Sequence, residues 1–79
     1  MTDFADIIKT ERKAHELKRA EFAALIGVSD GAVGMWEAGL SRPSYANMVR
    51  ISRDANMPAW VRDLFYGILD AALIIDAAS

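Results

Sequence analysis

The sequence predicts an all-α fold of five short helices, and three features predict it. Residues 22–37 read as two helices folded across a tight turn, a helix-turn-helix: Phe22, Leu25 and Ile26 mark one apolar face, Gly27 ends the first helix, and Val33 and Trp36 resume the helical spacing beyond Ser29. Ahead of this unit, Phe4, Ile7 and Ile8 stand at helical spacing. Behind it, Gly39, Ser44 and Pro58 fall where helices stop or start.

The first helix is expected over about residues 3–15, with Lys9 and Lys13 on its polar side. The second begins near Lys18 or Arg19 and ends at Gly27. Ala23 is small where two helices would cross closely, and Val28 fills the turn between them. Ser29 caps the third helix, which runs from Asp30 to about Ala38 and stops at Gly39, a residue suited to a left-handed backbone. Leu40-Ser41-Arg42-Pro43 is a loop. Ser44 caps a fourth helix reaching about Ala55 and burying Tyr45, Met48, Val49 and Ile51 or Ser52. Pro58 is expected in the first turn of the last helix.

That last segment carries an unusual apolar load. Trp60, Leu64, Phe65, Ile68, Leu69, Leu73, Ile74 and Ile75, with Val61, cover more than one helical face. Two readings follow: the segment completes a small core, or it forms a subunit interface in a homodimer. A core built from 79 residues is only marginally stable alone, which favours the interface. Gly67 is a place for a kink, and Ala71 to Ile75 can also be read as a strand added across a dimer.

Charge and residue content narrow the function. The net charge is −2, but it is unevenly spread. Residues 1–53 hold eight bases (Lys9, Arg12, Lys13, Lys18, Arg19, Arg42, Arg50 and Arg53) against seven acids, while residues 54–79 hold Arg62 against Asp54, Asp63, Asp70 and Asp76. The half that contains the helix-turn-helix is therefore the more basic, and the acidic remainder can face away from a phosphate backbone. With no cysteine and the single His15, neither a disulfide framework nor a thiolate or zinc site can be built. Ser29 and Ser44 are explained as caps rather than nucleophiles, and Gly27, Gly31 and Gly34 lack the strand and Lys-Ser/Thr ending of a phosphate-cradling loop. We expect no enzyme, catalytic residue, cofactor or metal. No apolar run is long enough for a bilayer, and the acidic start, Met1-Thr2-Asp3-Phe4-Ala5-Asp6, is unlike a leader peptide, so a cytoplasmic location is expected.

Residues 17–43 resemble the helix-turn-helix of Cro/CI-type repressors, the XRE-like family, and the likeness continues more loosely to about residue 57. Phe22-Ala23, Gly27-Val28-Ser29, Val33, Trp36-Glu37-Ala38-Gly39 and Arg42-Pro43-Ser44 carry it. The resemblance implies a lambda-repressor-like domain over residues 1–57; the apolar segment 58–79, read above as a dimer interface, lies outside it. It also implies that Arg12 pairs with Glu37 and that Lys18, Arg19, Arg42 and Ser44 hold DNA phosphates. The recognition helix would present Ser29, Asp30, Gly31, Ala32, Gly34 and Met35 to double-stranded DNA. Asp30 would accept from a cytosine amino group, while Ala32 or Met35 would touch a thymine methyl.

These base-facing residues depart from the family's usual Gln, Arg, Lys, Ser and Asn. Two glycines in one short helix also cost about 1 kcal/mol each relative to alanine. Two functions are therefore weighed. The first is a repressor or autoregulator binding an inverted repeat as a homodimer and occluding a promoter, without a ligand-sensing domain. The alternative is an interaction module, of antirepressor or antitoxin type, that keeps the fold and docks a protein partner.

Overall fold

Local chemistry sets the helix ends, and the helices then pair. In the computed structural model, which describes residues 4–78 with side chains through residue 71, five α-helices occur in chain order and no strand is found among the described residues. They are α1 (Phe4–Ala14), α2 (Arg19–Ile26), α3 (Asp30–Glu37), α4 (Tyr45–Ser52) and α5 (Ala59–Ala78). The chain divides into two compact units, Met1–Arg42 and Pro43–Ser79.

In the first unit, three successive helices end in the same hydrogen-bond pattern, a left-handed residue whose N–H and that of its successor return to the last turn. After α2, Gly27 lies at φ 77°; its N–H reaches the Ala24 carbonyl at 3.3 Å and Val28 N–H reaches Ala23 at 3.0 Å. After α3, Gly39 lies at φ 75°, with Gly39 N–H to Trp36 at 3.1 Å and Leu40 N–H to Met35 at 3.0 Å. After α1 the same place is held by Glu16 at φ 58°, with Glu16 N–H to Lys13 and Leu17 N–H to Arg12 at 3.0 and 3.2 Å. Glycine takes this conformation freely; glutamate does not.

The core of this unit comes from Ala5 and Ile8 of α1, Phe22, Ala23 and Ile26 of α2, and Val33 and Trp36 of α3, with α3 packed on both of the others. Leu25, expected on the buried face, is 37% exposed. The stripe Phe22, Ala23, Ile26 is centred between its members, and Leu25 projects about 110° from that centre, on the flank.

In the second unit α4 packs against α5, with Met48 and Ile51 buried on one side and Val61, Leu64 and Phe65 on the other. Two expectations fail here. Helix α4 ends at Ser52, three residues early, because Asp54 turns the chain: its Oδ1 accepts from Asn56 N–H at 2.9 Å, and its carbonyl accepts from Met57 N–H at 3.1 Å. Tyr45, expected in the core, opens the helix 62% exposed, so the apolar stripe starts one turn later at Met48.

Helix α5 runs unbroken from Ala59 to Ala78, so Gly67 does not interrupt it and Ala71 to Ile75 are helix, not strand. Pro58 stands just ahead of the first turn, its carbonyl accepting from Val61 and Arg62 N–H at 3.0 and 3.2 Å. Leu64 and Phe65, assigned above to a subunit interface, are buried within the single chain, because they share the stripe of Val61 that faces α4. Trp60, Ile68 and Leu69 are half-buried and Tyr66 is exposed, while the side chains of Leu73, Ile74 and Ile75 lie outside the described residues.

Candidate nucleic-acid interface

Helix α3 is held at both ends and left open along one side. At its N-terminus Ser29 Oγ accepts from Ala32 N–H at 3.1 Å, satisfying one of the free amides of the first turn. Val33 and Trp36 anchor its inner face, whereas Ser29, Asp30, Gly31 and Met35 are exposed and Ala32 and Gly34 half-buried.

At its C-terminus a nearly buried ion pair ties α3 to α1. Arg12 Nε donates to Glu37 Oε2 at 2.7 Å and Nη2 to Oε1 at 2.9 Å, a two-pronged contact. The remaining nitrogen, Nη1, donates to the Leu17 carbonyl at 2.9 Å, so the same guanidinium also secures the turn into α2. Only 11% and 9% of the two side chains meet solvent. The hydrogen bonds to Glu37 raise the Arg12 pKa against the opposing effect of burial.

A second arginine lies across the outer face of α3. Arg19, the first residue of α2, clasps Asp30, the first residue of α3, through Nε to Oδ1 at 2.8 Å and Nη2 to Oδ2 at 3.0 Å. Its guanidinium rests over Gly34: a Cβ placed there would stand 3.0 Å from Nη1 and 3.3 Å from Cζ. About half of each side chain remains open, 51% for Arg19 and 46% for Asp30. Hydrogen bonding, with the attraction of opposite charges, raises the Arg19 pKa and lowers that of Asp30. Each oxygen of Asp30 thus accepts one hydrogen bond from Arg19 and keeps a further lone pair.

The other expected phosphate ligands are placed as follows. Lys18 is exposed ahead of α2, and Glu21 reaches back to accept from its N–H at 2.8 Å. Lysine has no acceptor to return the contact, so the cap is one-sided. Arg42 is exposed and stacks on Phe4, its Cζ 5.3 Å from the ring centroid. Ser44, in the second unit, has its Oγ accepting from Asn47 N–H at 3.1 Å at the start of α4. Sequence reasoning missed Phe4 and Glu21 in these supporting roles. Phe4 shows only that it is apolar, and the Glu21 contact needed just the three-residue spacing of a capping box.

A family model described as helix-turn-helix (HTH_3), the Cro/CI type, matches residues 8–58. The chain belongs to the helix-turn-helix family. No curated protein and no solved structure matches it. The match runs from within α1 through α4, so the helix-turn-helix unit α2 and α3 lies wholly inside it. Family membership makes it a DNA-binding transcription regulator, a class not ordinarily enzymatic. No group of residues suited to a metal ion, and no helix long and apolar enough to cross a membrane, is present among the described residues.

Proposed function

We propose that this protein is a repressor that binds an inverted repeat at its own promoter as a homodimer and blocks polymerase by occupying the site. The reading rests on one observation above the others: α3 is fixed from behind by Arg12 and Glu37 while its Asp30, Gly31 and Met35 side stays open. A helix held in that way can enter a major groove without reorganisation. Lys18 and Arg42, both exposed, would take phosphates beside the groove, and Ser44 is proposed as a further phosphate ligand through its hydroxyl proton.

The apolar load of α5 beyond its one buried stripe supports the dimer. With Leu64 and Phe65 removed from the interface, half-buried Trp60 and Leu69 remain for it off the stripe, with half-buried Ile68 one turn past Leu64 on the stripe itself, and Leu73, Ile74 and Ile75 follow in sequence. Footprinting on the duplex upstream of the protein's own gene tests the reading. Two protected half-sites with centres about 34 Å apart, one helical turn, are expected. Absence of any protection, with a protein captured instead, would favour the interaction-module alternative, which the scarcity of donors on α3 itself supports.

A further inference from the structure

Four positions of α3 away from its buried face, Gly31, Ala32, Gly34 and Met35, have no side chain that can hydrogen-bond strongly to a base, yet a guanidinium lies over Gly34. It comes from α2. Arg19 uses its Nε and one hydrogen of Nη2 on Asp30, and its guanidinium sits where Gly34, one turn beyond Asp30, leaves room. Of its five N–H donors, three stay unengaged by Asp30: both on Nη1 and the second on Nη2. The end of the fork, Nη1 with Nη2, therefore keeps two parallel N–H groups that Asp30 does not use, on a side chain about half exposed, 51%.

We propose that Arg19, clasped by Asp30 in the notch left by Gly34, is the base-reading side chain of this protein and takes the O6 and N7 of a guanine. This deepens the DNA-binding reading and rests on it. Two parallel donors match the two acceptors that guanine alone offers side by side in the major groove. The choice of guanine over phosphate follows from charge and stiffness. Pairing with Asp30 cancels most of the field that would attract a phosphate, but it fixes the plane and reach of the fork, so orientation is settled before DNA arrives. The glycine at position 34 then has a function that offsets its helix cost: an alanine methyl would press on Nη1 and shift the fork.

The test is selection from a randomised duplex pool, read by sequencing, with the wild type, Arg19→Lys and Gly34→Ala. Lysine keeps the charge and loses the fork. The wild type should enrich one fixed guanine per half-site. Arg19→Lys should lose discrimination at that guanine by roughly 10- to 100-fold while its salt dependence on random duplex stays unchanged. Gly34→Ala, which favours the helix, should fold at least as stably and still weaken the same guanine preference. Replacing that guanine by 7-deazaguanine should penalise the wild type and leave Arg19→Lys indifferent. Retention of the guanine preference by Arg19→Lys, or a selected site with no fixed guanine, overturns the proposal and leaves DNA binding standing. Failure of the wild type to enrich any sequence overturns both readings together.

Discussion

Glu16 holds a left-handed backbone that glycine holds at the two equivalent helix ends, Gly27 and Gly39. The conformation costs a residue with a Cβ about 1–2 kcal/mol, partly offset because glycine loses more freedom on folding. Glu16→Gly should therefore stabilise the protein by about 0.5–1 kcal/mol, seen as a melting midpoint roughly 2–8 °C higher. An unchanged or lower midpoint would show that the glutamate side chain makes up the difference. Asp30 offers a second test on the scale of one group. Arg19 holds its carboxyl below the usual carboxylate range. A depressed folded pKa adds stability that is present above the unfolded value and lost as pH falls through the folded one. The clasp should therefore survive through neutral and mildly acid conditions and open only below the usual aspartate range. In an NMR titration the Asp30 midpoint should lie below the ordinary aspartate value and return to it in Arg19→Ala; an ordinary midpoint in the wild type would mean that the clasp is not formed in solution.

Among the helices, the Arg12–Glu37 pair does the most to set the angle at which α3 is offered, since one guanidinium touches α1, α3 and the turn into α2. Glu37→Gln would leave a nearly buried guanidinium without its counter-charge. The expected loss is about 3 kcal/mol, the lower end for a buried pair because each side chain keeps some solvent contact, and urea unfolding measures it. How much of this was legible in the sequence depends on distance along the chain. Ser29, Ser44, Gly27 and Gly39 act on backbone groups within a turn of themselves, so the helices could be placed from them. Burial depends on partners that arrive from elsewhere, and so Leu25 and Tyr45 were misplaced and Leu64 and Phe65 assigned outward rather than inward. Arg19 and Asp30 were both singled out, but as separate contacts to DNA. They lie eleven residues apart, and only the packing of α2 on α3 brings them together. The one local hint was Gly34 on the turn after Asp30, a gap that makes sense once something fills it.

For the molecule as a whole, the sum of charges is a poor guide and their placement a better one. A net charge of −2 gives little long-range attraction to DNA, so affinity must rest on a few positioned cations and should be sensitive to each. Arg42→Ala should weaken binding to all duplexes alike and flatten the slope of log affinity against log salt by about one unit. A slope equal to that of the wild type would take Arg42 off the docking face. For assembly, Leu69→Asp places a charge on the half-buried side of α5, away from the stripe that faces α4. Light scattering should show its mass falling from dimer to monomer with the helical content retained, whereas a monomeric wild type would remove the dimer.

The most direct measurement is a fluorescence-anisotropy titration of the wild-type protein against the duplex upstream of its own gene, with a scrambled duplex as control, at two salt concentrations. Tight binding to the native duplex that weakens steeply with salt, and much weaker binding to the scramble, is the predicted result. Equal, weak binding to both duplexes would contradict it, and α3 would then be a surface for protein rather than for DNA.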